Sequence, residues 1–539
     1  MTAYHLDALE SRKLFAGGAL DATFGSRGVT TATFETKPQY VLTTRQVLSD
    51  RAANTYVLAQ IDQTRDADAD TYQIVRLTAG GDIDSQWVKA KGGFRTRLKF
   101  DSGGGTQGVS AALDSADRLL VVVGNTVRRY TDGAADAGFG NGGQITLSGV
   151  VRVNQITTDA DGHVYLAASA SRSGATTAQA VLVRLTADGR LDTTFASRGR
   201  YRLPDYTANR HLSVIDSTGD EARVLADGTV AFTAAAGFST ADPTRRQGGF
   251  ASVRLTAKGR PIGSYGENGI VRVYADPTTK SRPRVTNLQT VRLRPDGSVL
   301  LLRVVAEAGS ETAGYSQNQI LSADGKSRRV VYLAPPGGSP LSTVTGFIDQ
   351  ADGSTLVYGN TLFRVTADDT YAATFNNGTP LAGAAAASLN HDSTVTLAGP
   401  SVLSNALLVR RIFRDDRPVA SFTGRRLVKP ASSYAFTVTY RDADGVRANT
   451  ITGQELRVTG PDGVARKARL TDTVGLTDDN ANTTGAIRAT YRLTDPDGNG
   501  WDRGDNGTYT VRVLDNRVRD TGGTFLAKRA VGTFKVAIA

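Results

Sequence analysis

LDTTFASRG, Leu191 to Gly199, follows the apolar run AVLVRL and the turn TADGR, and the same succession returns along the first three-quarters of the chain. LDATFGSRG spans Leu20 to Gly28. VRLTAGGDIDSQW ends at Trp87, VRRYTDGAADAGFGNGG carries Phe139, and VRLTAKGRPIGSYGENG carries Tyr265. LSADGKSRRVVY is eroded, with Val331 in the aromatic slot, and FRVTADDTYAATFNNG places Phe375 there. From Phe24 onward the slots lie 63, 52, 56, 70, 66 and 44 residues apart. A repeat of that length with fixed content points to a propeller or a solenoid.

The interior of each unit selects between them. A polar turn precedes an apolar run in NTYVLA (from Asn54), ADRLLVVVG (Ala116), ADGHVYLAA (Ala160), ADGTVAFTA (Ala226), PDGSVLLLR (Pro295), ADGSTLVYG (Ala351) and HDSTVTLAG (His391). Gly after Asp takes positive φ without steric cost, so these are tight turns. The β-rich runs after them read as buried strands, and a further strand leads into each aromatic slot. Each unit therefore offers about four short strands, the content of one propeller blade. The last unit has strands but no LDxxF piece, and the unpaired LDxxF piece stands at Leu20. A ring closed by the N-terminal strand explains both and hides sheet edges. The expectation is an all-β chain, a seven-bladed β-propeller over residues 20–414 followed by a C-terminal β-sandwich over 419–539.

The LDxxFGxxG segment after a strand and a DG turn resembles the bacterial delta-sixty repeat, over roughly residues 20–413. That resemblance implies a propeller-like extracellular protein and carries no catalytic residues with it. Near the N-terminus, LESRKLFA (Leu9 to Ala16) resembles the LEPRxLLS-type sorting segment of planctomycete surface proteins, with Ser11 in place of Pro. Residues 1–19 are read as such a leader; they lack the apolar core of a Sec signal peptide.

After Asp415-Asp416-Arg417-Pro418 the repeat stops. Seven strand candidates follow, among them YAFTVTY, ELRVTG, AIRATYRLT and GTYTVRVL, with the alternation of a β-sandwich. DNGTY, Asp505 to Tyr509, has the form of a tyrosine corner. The segment resembles immunoglobulin- or cadherin-like modules of bacterial surface proteins, which implies a spacer or adhesive unit, often with calcium.

Candidate metal ligands lie in that segment. Asp495-Pro-Asp497-Gly-Asn499-Gly500 fits the opening of a calcium loop, because hard oxygen donors at alternating positions converge on one cation. Position twelve, however, is Asn506, and a hairpin turn accounts for the same residues. Asp442 and Asp444 in RDADG form a second candidate with the same alternative. The DG turns at Asp161, Asp227, Asp296 and Asp352 recur once per unit, as architecture does.

Composition narrows the remainder. The 539 residues contain no Cys, which excludes disulfides and thiolate chemistry. No apolar run reaches the ~18 residues of a membrane span. Four His (His5, His163, His211, His391) show no metal-binding spacing, and no G-x-S-x-G, P-loop or H-E-x-x-H appears. Net charge is +11, but the arginines, such as Arg128-Arg129, Arg245-Arg246 and Arg410-Arg411, recur in all units and read as solvated strand and loop positions. Nucleic acid is not an expected partner. The leading expectation is a non-enzymatic binding or adhesion protein at the cell surface or outside the cell, with calcium as the one candidate cofactor. Its partner would be a cell-wall or extracellular polysaccharide or another surface protein. A carbohydrate-active enzyme on the propeller, using acids that converge from several loops, is the alternative; a polyanion binder is the third.

Overall fold

A computed structural model describes residues 18–538 apart from 38–39, 63–70, 91–92, 96, 102–107, 172–177, 205–206, 209–211, 240–245, 275–283, 308–313, 332–343, 351–353, 367–370, 372–374, 376–380, 393, 402, 404, 414–417, 443–444, 478–482 and 521–524. The leader-like segment up to residue 17, His5, His211, Asp352, Asp444 and the hinge residues 415–417 lie outside the described residues, as do the middles of the long loops after Ser171, Ser239 and Glu307. Among the described residues there is no α-helix, and no helix is long and apolar enough to cross a membrane.

Seven antiparallel sheets of four or five strands succeed one another. The third is the plainest: Val150–Thr158, Val164–Ser171, Ala178–Leu185 and Arg200–Arg202, each strand beside the next. Its first turn is Asp159 to His163, where Gly162 has φ +84, and its second strand is buried almost throughout because sheets lie against both faces. Each sheet shares an apolar core with its successor. Leu120 and Val122 of the second meet Val153 and Ile156 of the third, and Ala167 and Leu182 of the third meet Phe232 of the fourth. The seventh sheet shares a core with the first, through Ala398 and Val409 against Val57 and Val75. The succession thus returns to its beginning, and the chain is propeller-like.

The return is made by the N-terminal strand. Val29–Thr33 pairs antiparallel with Ala406–Phe413, placing Val29 opposite Arg410, and so completes the sheet of Ala386–Leu389 and Thr394–Pro400. The eroded unit around Val331 still forms a four-stranded sheet ending in Arg328–Val331.

The LDxxF segment is the clip between sheets. In the third unit Phe195 is fully buried, and the Arg184 guanidinium lies 4.6 Å from its ring centre. Arg184 is paired with Asp192 at 2.7 Å and donates to the Ala257 carbonyl of the next unit. The Ala196 N–H donates to the Lys258 carbonyl there, and Gly259, at φ +75, sits where a Cβ would come within 2.8 Å of the Phe195 ring. Arg129 over Phe139, with Asp136 and the Ala187 carbonyl, repeats the whole set; Arg254 over Tyr265 repeats the ring and carbonyl contacts, with Ile262 in place of the aspartate. At the closing seam Arg411, with no exposed surface, lies over Phe24 at 4.2 Å and donates to the carbonyls of Ala79 and Ala53. Arg129 and Arg411 were expected to be solvated; they are buried instead, because sheets pack on both faces and each guanidinium finds a ring and the next unit's carbonyls.

Residues 418–538 form two four-stranded sheets around one core. Val419–Thr423, Tyr434–Arg441, Thr483–Leu493 and Arg469–Thr477 make one; Ala465–Arg466, Leu456–Thr459, Gly507–Val513 and Arg529–Val536 make the other. Val438, Tyr440 and Ala489 of the first meet Leu456, Val511 and Phe534 of the second, with Trp501 buried among them. Tyr509 donates to the Asp505 carbonyl at 2.9 Å, the tyrosine corner expected from DNGTY.

This unit is pinned to the ring closure. Arg441, buried, is hydrogen-bonded to Asp392 in the turn of the seventh sheet and lies 3.8 Å from Asp21 of LDATF. Arg529 donates to the His391 carbonyl. Asp21 stands where Asp192 stands in the third unit, so a residue of the C-terminal unit enters the clip of the closing seam.

Candidate functional site

The first strands of all seven sheets wall a common cavity of 630 Å³. Five of those strands carry a register irregularity at one level: between Thr44 and Gln46, Val153 and Gln155, Gly219 and Glu221, Leu288 and Thr290, and Val344 and Gly346. A bulge re-aims the side chain it adds. Arg45, Asn154, Asp220 and Thr345 are such additions, and all four line the cavity.

Polar side chains at this level join neighbouring sheets. Gln46 donates to the Ala111 carbonyl at 2.8 Å and accepts from its N–H at 2.9 Å. Ser110 accepts from the Ile156 N–H, Gln155 from Ala222, and Glu221 from Leu293 at 2.8 Å. In the sixth sheet the position is Gly346, and the Tyr358 side chain occupies that space and meets the backbone of Ala387. These polar groups therefore hold the ring at its inner edge.

Glu221 differs from its counterparts in being a carboxylate. Burial pushes its pKa up, and Asp349 adds to this, while Arg292, the Leu293 N–H and Arg223 act the other way. Burial also raises the Tyr358 hydroxyl, with Glu221 adding and Arg292 opposing. Asp349 is paired with Arg294 at 2.8 Å. Sheets four to six thus turn a charged sector toward the cavity: Asp220, Glu221, Arg292, Asp349 and Tyr358, with Phe347 beside them. Sequence reading did not single these out. They come one or two from each unit, with no shared spacing in the sequence to relate them.

The calcium candidates fall in two places. Asp495 lies in a loop where burial would raise its pKa but the N–H groups of Gly500 and Gly498 hold it below the usual value. Asp497 and Asn499 bond to each other at 2.9 Å. One oxygen of Asp495, Oδ2, is buried without a hydrogen-bond partner. Asp505 joins this group: burial, followed by the charges of Asp497, Asp502 and Asp495, pushes its carboxyl up. Asp495, Asp497, Asp502 and Asp505 offer hard oxygen donors of the kind calcium takes, but among the described residues their ligand atoms do not all converge within 4.8 Å. Of the second pair, Asp442 is buried after Arg441, and Asp444 lies outside the described residues. A third gathering, Asp159, Asp161 and His163, has its ligand atoms within 4.8 Å of one another at the turn of the third sheet. There Asp159 accepts from the His163 N–H and ring and from Tyr165, as a turn residue does.

The family described as "Domain of unknown function (DUF5122) beta-propeller" matches residues 160–195, from the turn of the third sheet to its clip. No curated protein sequence matches the chain. Solved structures similar to it include a protein of unknown function from Dyadobacter fermentans, 10% identical, covering 72% of this chain and 99% of that one, with a TM-score of 0.32. The polysaccharide lyase Uly1 is 8% identical over 71% of this chain and 100% of its own, with a TM-score of 0.39. Bacillus subtilis levansucrase is 11% identical over 57% and 89%, with a TM-score of 0.27.

Proposed function

We propose that the protein is a non-enzymatic binding or adhesion protein of the cell surface or extracellular space. In this reading the seven sheets are the blades of a seven-bladed delta-sixty-type propeller spanning residues 20–414. The two C-terminal sheets are an immunoglobulin- or cadherin-like sandwich, a spacer or adhesive module that holds calcium at Asp495, Asp497, Asp502 and Asp505. The observation that carries the reading is the use made of the inner ring. Gln46, Ser110, Gln155 and Glu221 each bond to the backbone of the neighbouring sheet, so the wall is built for rigidity and leaves ligand contact to the bulged residues around it. The ligand is an extracellular or cell-wall polysaccharide.

A second reading, a carbohydrate-active enzyme, is favoured by Asp220, Glu221 and Asp349 lining one cavity with Tyr358, since a carboxyl of raised pKa is suited to proton transfer. Incubation with neutral and acidic polysaccharides, assayed for retention and for new chain ends, separates the two. Retention without new ends, unchanged in Glu221→Gln, is the expected outcome. New ends that vanish in Glu221→Gln would establish the enzyme, and the variant is mild because Gln46 and Gln155 hold the same position.

A further inference from the structure

At the seam between the third and fourth sheets, a groove of 690 Å³ runs beside the LDxxF clip. One wall is the short strand Arg200–Arg202 with Arg198 before it; the other is the turn carrying Arg260 and Pro261. Alternation along the strand sends Arg200 and Arg202 to one side, and Arg198, in the turn before it, lines the same groove. Arg200 donates to the Ser148 carbonyl at 2.8 Å and Arg202 to the Gln179 side chain at 3.3 Å. None of these four arginines has a carboxylate partner among the described residues, and no acidic residue lines the groove. Burial first, and then Arg202, lowers the Arg200 pKa, as expected where guanidinium groups crowd. Tyr201, 7% exposed, also lines the groove, and its hydroxyl is buried without a hydrogen-bond partner.

The repeat supplies its own control. The seam between the second and third sheets has a groove at the same place, with 480 Å³. Position by position its lining is the same set one unit earlier, Gln144, Ile145, Thr146, Arg190 and Leu191 standing for Arg200, Tyr201, Arg202, Arg260 and Pro261. Gly142 stands for Arg198, and Asp188, which pairs with Arg190 at 3.2 Å, stands for Lys258. At the closing seam the corresponding residues are Arg27, Val29 and Thr31, with Asp82 opposite. The groove is thus a product of the architecture, but its arginines and its tyrosine hydroxyl are not. A fold that closes the same seam with Gln, Ile and Thr has no need of four cations that find no carboxylate among the described residues, and like charges so close repel.

We propose that this groove is a binding site for the sulfate or carboxylate groups of an acidic polysaccharide. Guanidinium forks match such groups two bonds at a time. Pro261 and Leu191 offer apolar surface to the CH faces of a sugar ring. The described lining holds no exposed aromatic ring on which a base could stack, which sets a nucleic acid aside. The inference rests on the reading of the chain as a polysaccharide-binding protein, and it places the contact on the outer seam, away from the central cavity.

The test is calorimetric titration of the full chain with a sulfated oligosaccharide, an oligogalacturonate and single-stranded DNA of equal charge, at low and high sodium chloride. The expected result is binding of at least one oligosaccharide that weakens with salt and falls by about tenfold or more in Arg198→Ala/Arg260→Ala. Arg190→Ala, in the neighbouring groove, leaves it unchanged. The sulfated and the carboxylated probe tell which acid is held. Binding to neither overturns the inference, as does DNA binding as tightly. Oligosaccharide binding that survives the double variant but is lost on substituting Arg292 or Asp220 overturns the groove while leaving the polysaccharide-binding reading in place.

Discussion

Arg184 shows how much one side chain of the repeat does. It stacks on Phe195, pairs with Asp192 and reaches the carbonyl of Ala257, so a single guanidinium ties its own sheet to the next. Both partners of the ion pair are more than nine-tenths buried, and removing one strands the other in a poorly hydrated site. Arg184→Ala is therefore expected to cost about 3 kcal/mol, read as a fall in the denaturation midpoint. Arg184→Met with Asp192→Asn recovers part of the loss, whereas an unchanged midpoint in the single variant would show that the clip is idle. The sequence displayed the aromatic slot clearly but not the cation above it. V-R-L-T looks like a strand with one wet face, and only stacking of sheets on both sides turns that face inward. The nearly constant offset, 11 residues for Arg76 from Trp87, Arg184 from Phe195 and Arg254 from Tyr265 and 10 for Arg129 from Phe139, was the available sign.

At the level of strands and loops, turn chemistry was the most readable part. Asp before Gly marked the hairpins, and Asp227 and Asp296 do accept from Thr229 and Ser298 two residues on. The bulges that aim Arg45, Asn154, Asp220 and Thr345 into the cavity left no such mark, because a bulge inserts a residue without requiring a residue type. The loop from Asp495 to Asn506 is a case where a turn and a candidate site share one sequence. Calcium is expected to raise the melting temperature and chelator to reverse the shift, since a ligand of the native state stabilises it by mass action. Asp497→Asn should abolish the calcium shift, and Asp442→Asn should leave it. A melting curve indifferent to calcium would reduce the loop to a turn whose Asp495 is held by Gly498 and Gly500.

For the molecule as a whole, the joint between the ring and the C-terminal unit is a buried quartet of Asp21, Asp392, Arg411 and Arg441. Sequence reading placed a hinge near residue 415 and had no means of seeing that Arg441 returns across it. Long-range ion pairs follow from the packing of finished units, not from local pattern. Burial alone would raise the Asp392 pKa, but Arg441, Arg411 and the Thr394 donors bring it down to about 2. A carboxyl depressed in the folded state contributes stability above its unfolded value of 3.8, and that contribution is lost as pH falls toward 2. It amounts to about 2 kcal/mol. Asp392→Asn should therefore melt lower at neutral pH and lose less between pH 4 and 2, in thermal melts across that range. Parallel curves for the two proteins would mean the quartet carries no net stability.

Closure by Val29–Thr33 against Ala406–Phe413 also sets a timetable. A ribosome releases the first of these strands early and the second only after the intervening sheets have been made. Until then the start of the chain has no partner, and Phe24 has no Arg411 to cover it. The earlier sheets can stack as they emerge, but the last one must wait for both ends to meet. Loop-closure entropy over so long a span makes that the slow step of folding. Shear or thermal opening should likewise begin at this junction, where the ring is held together by the two most widely separated strands of its seven sheets.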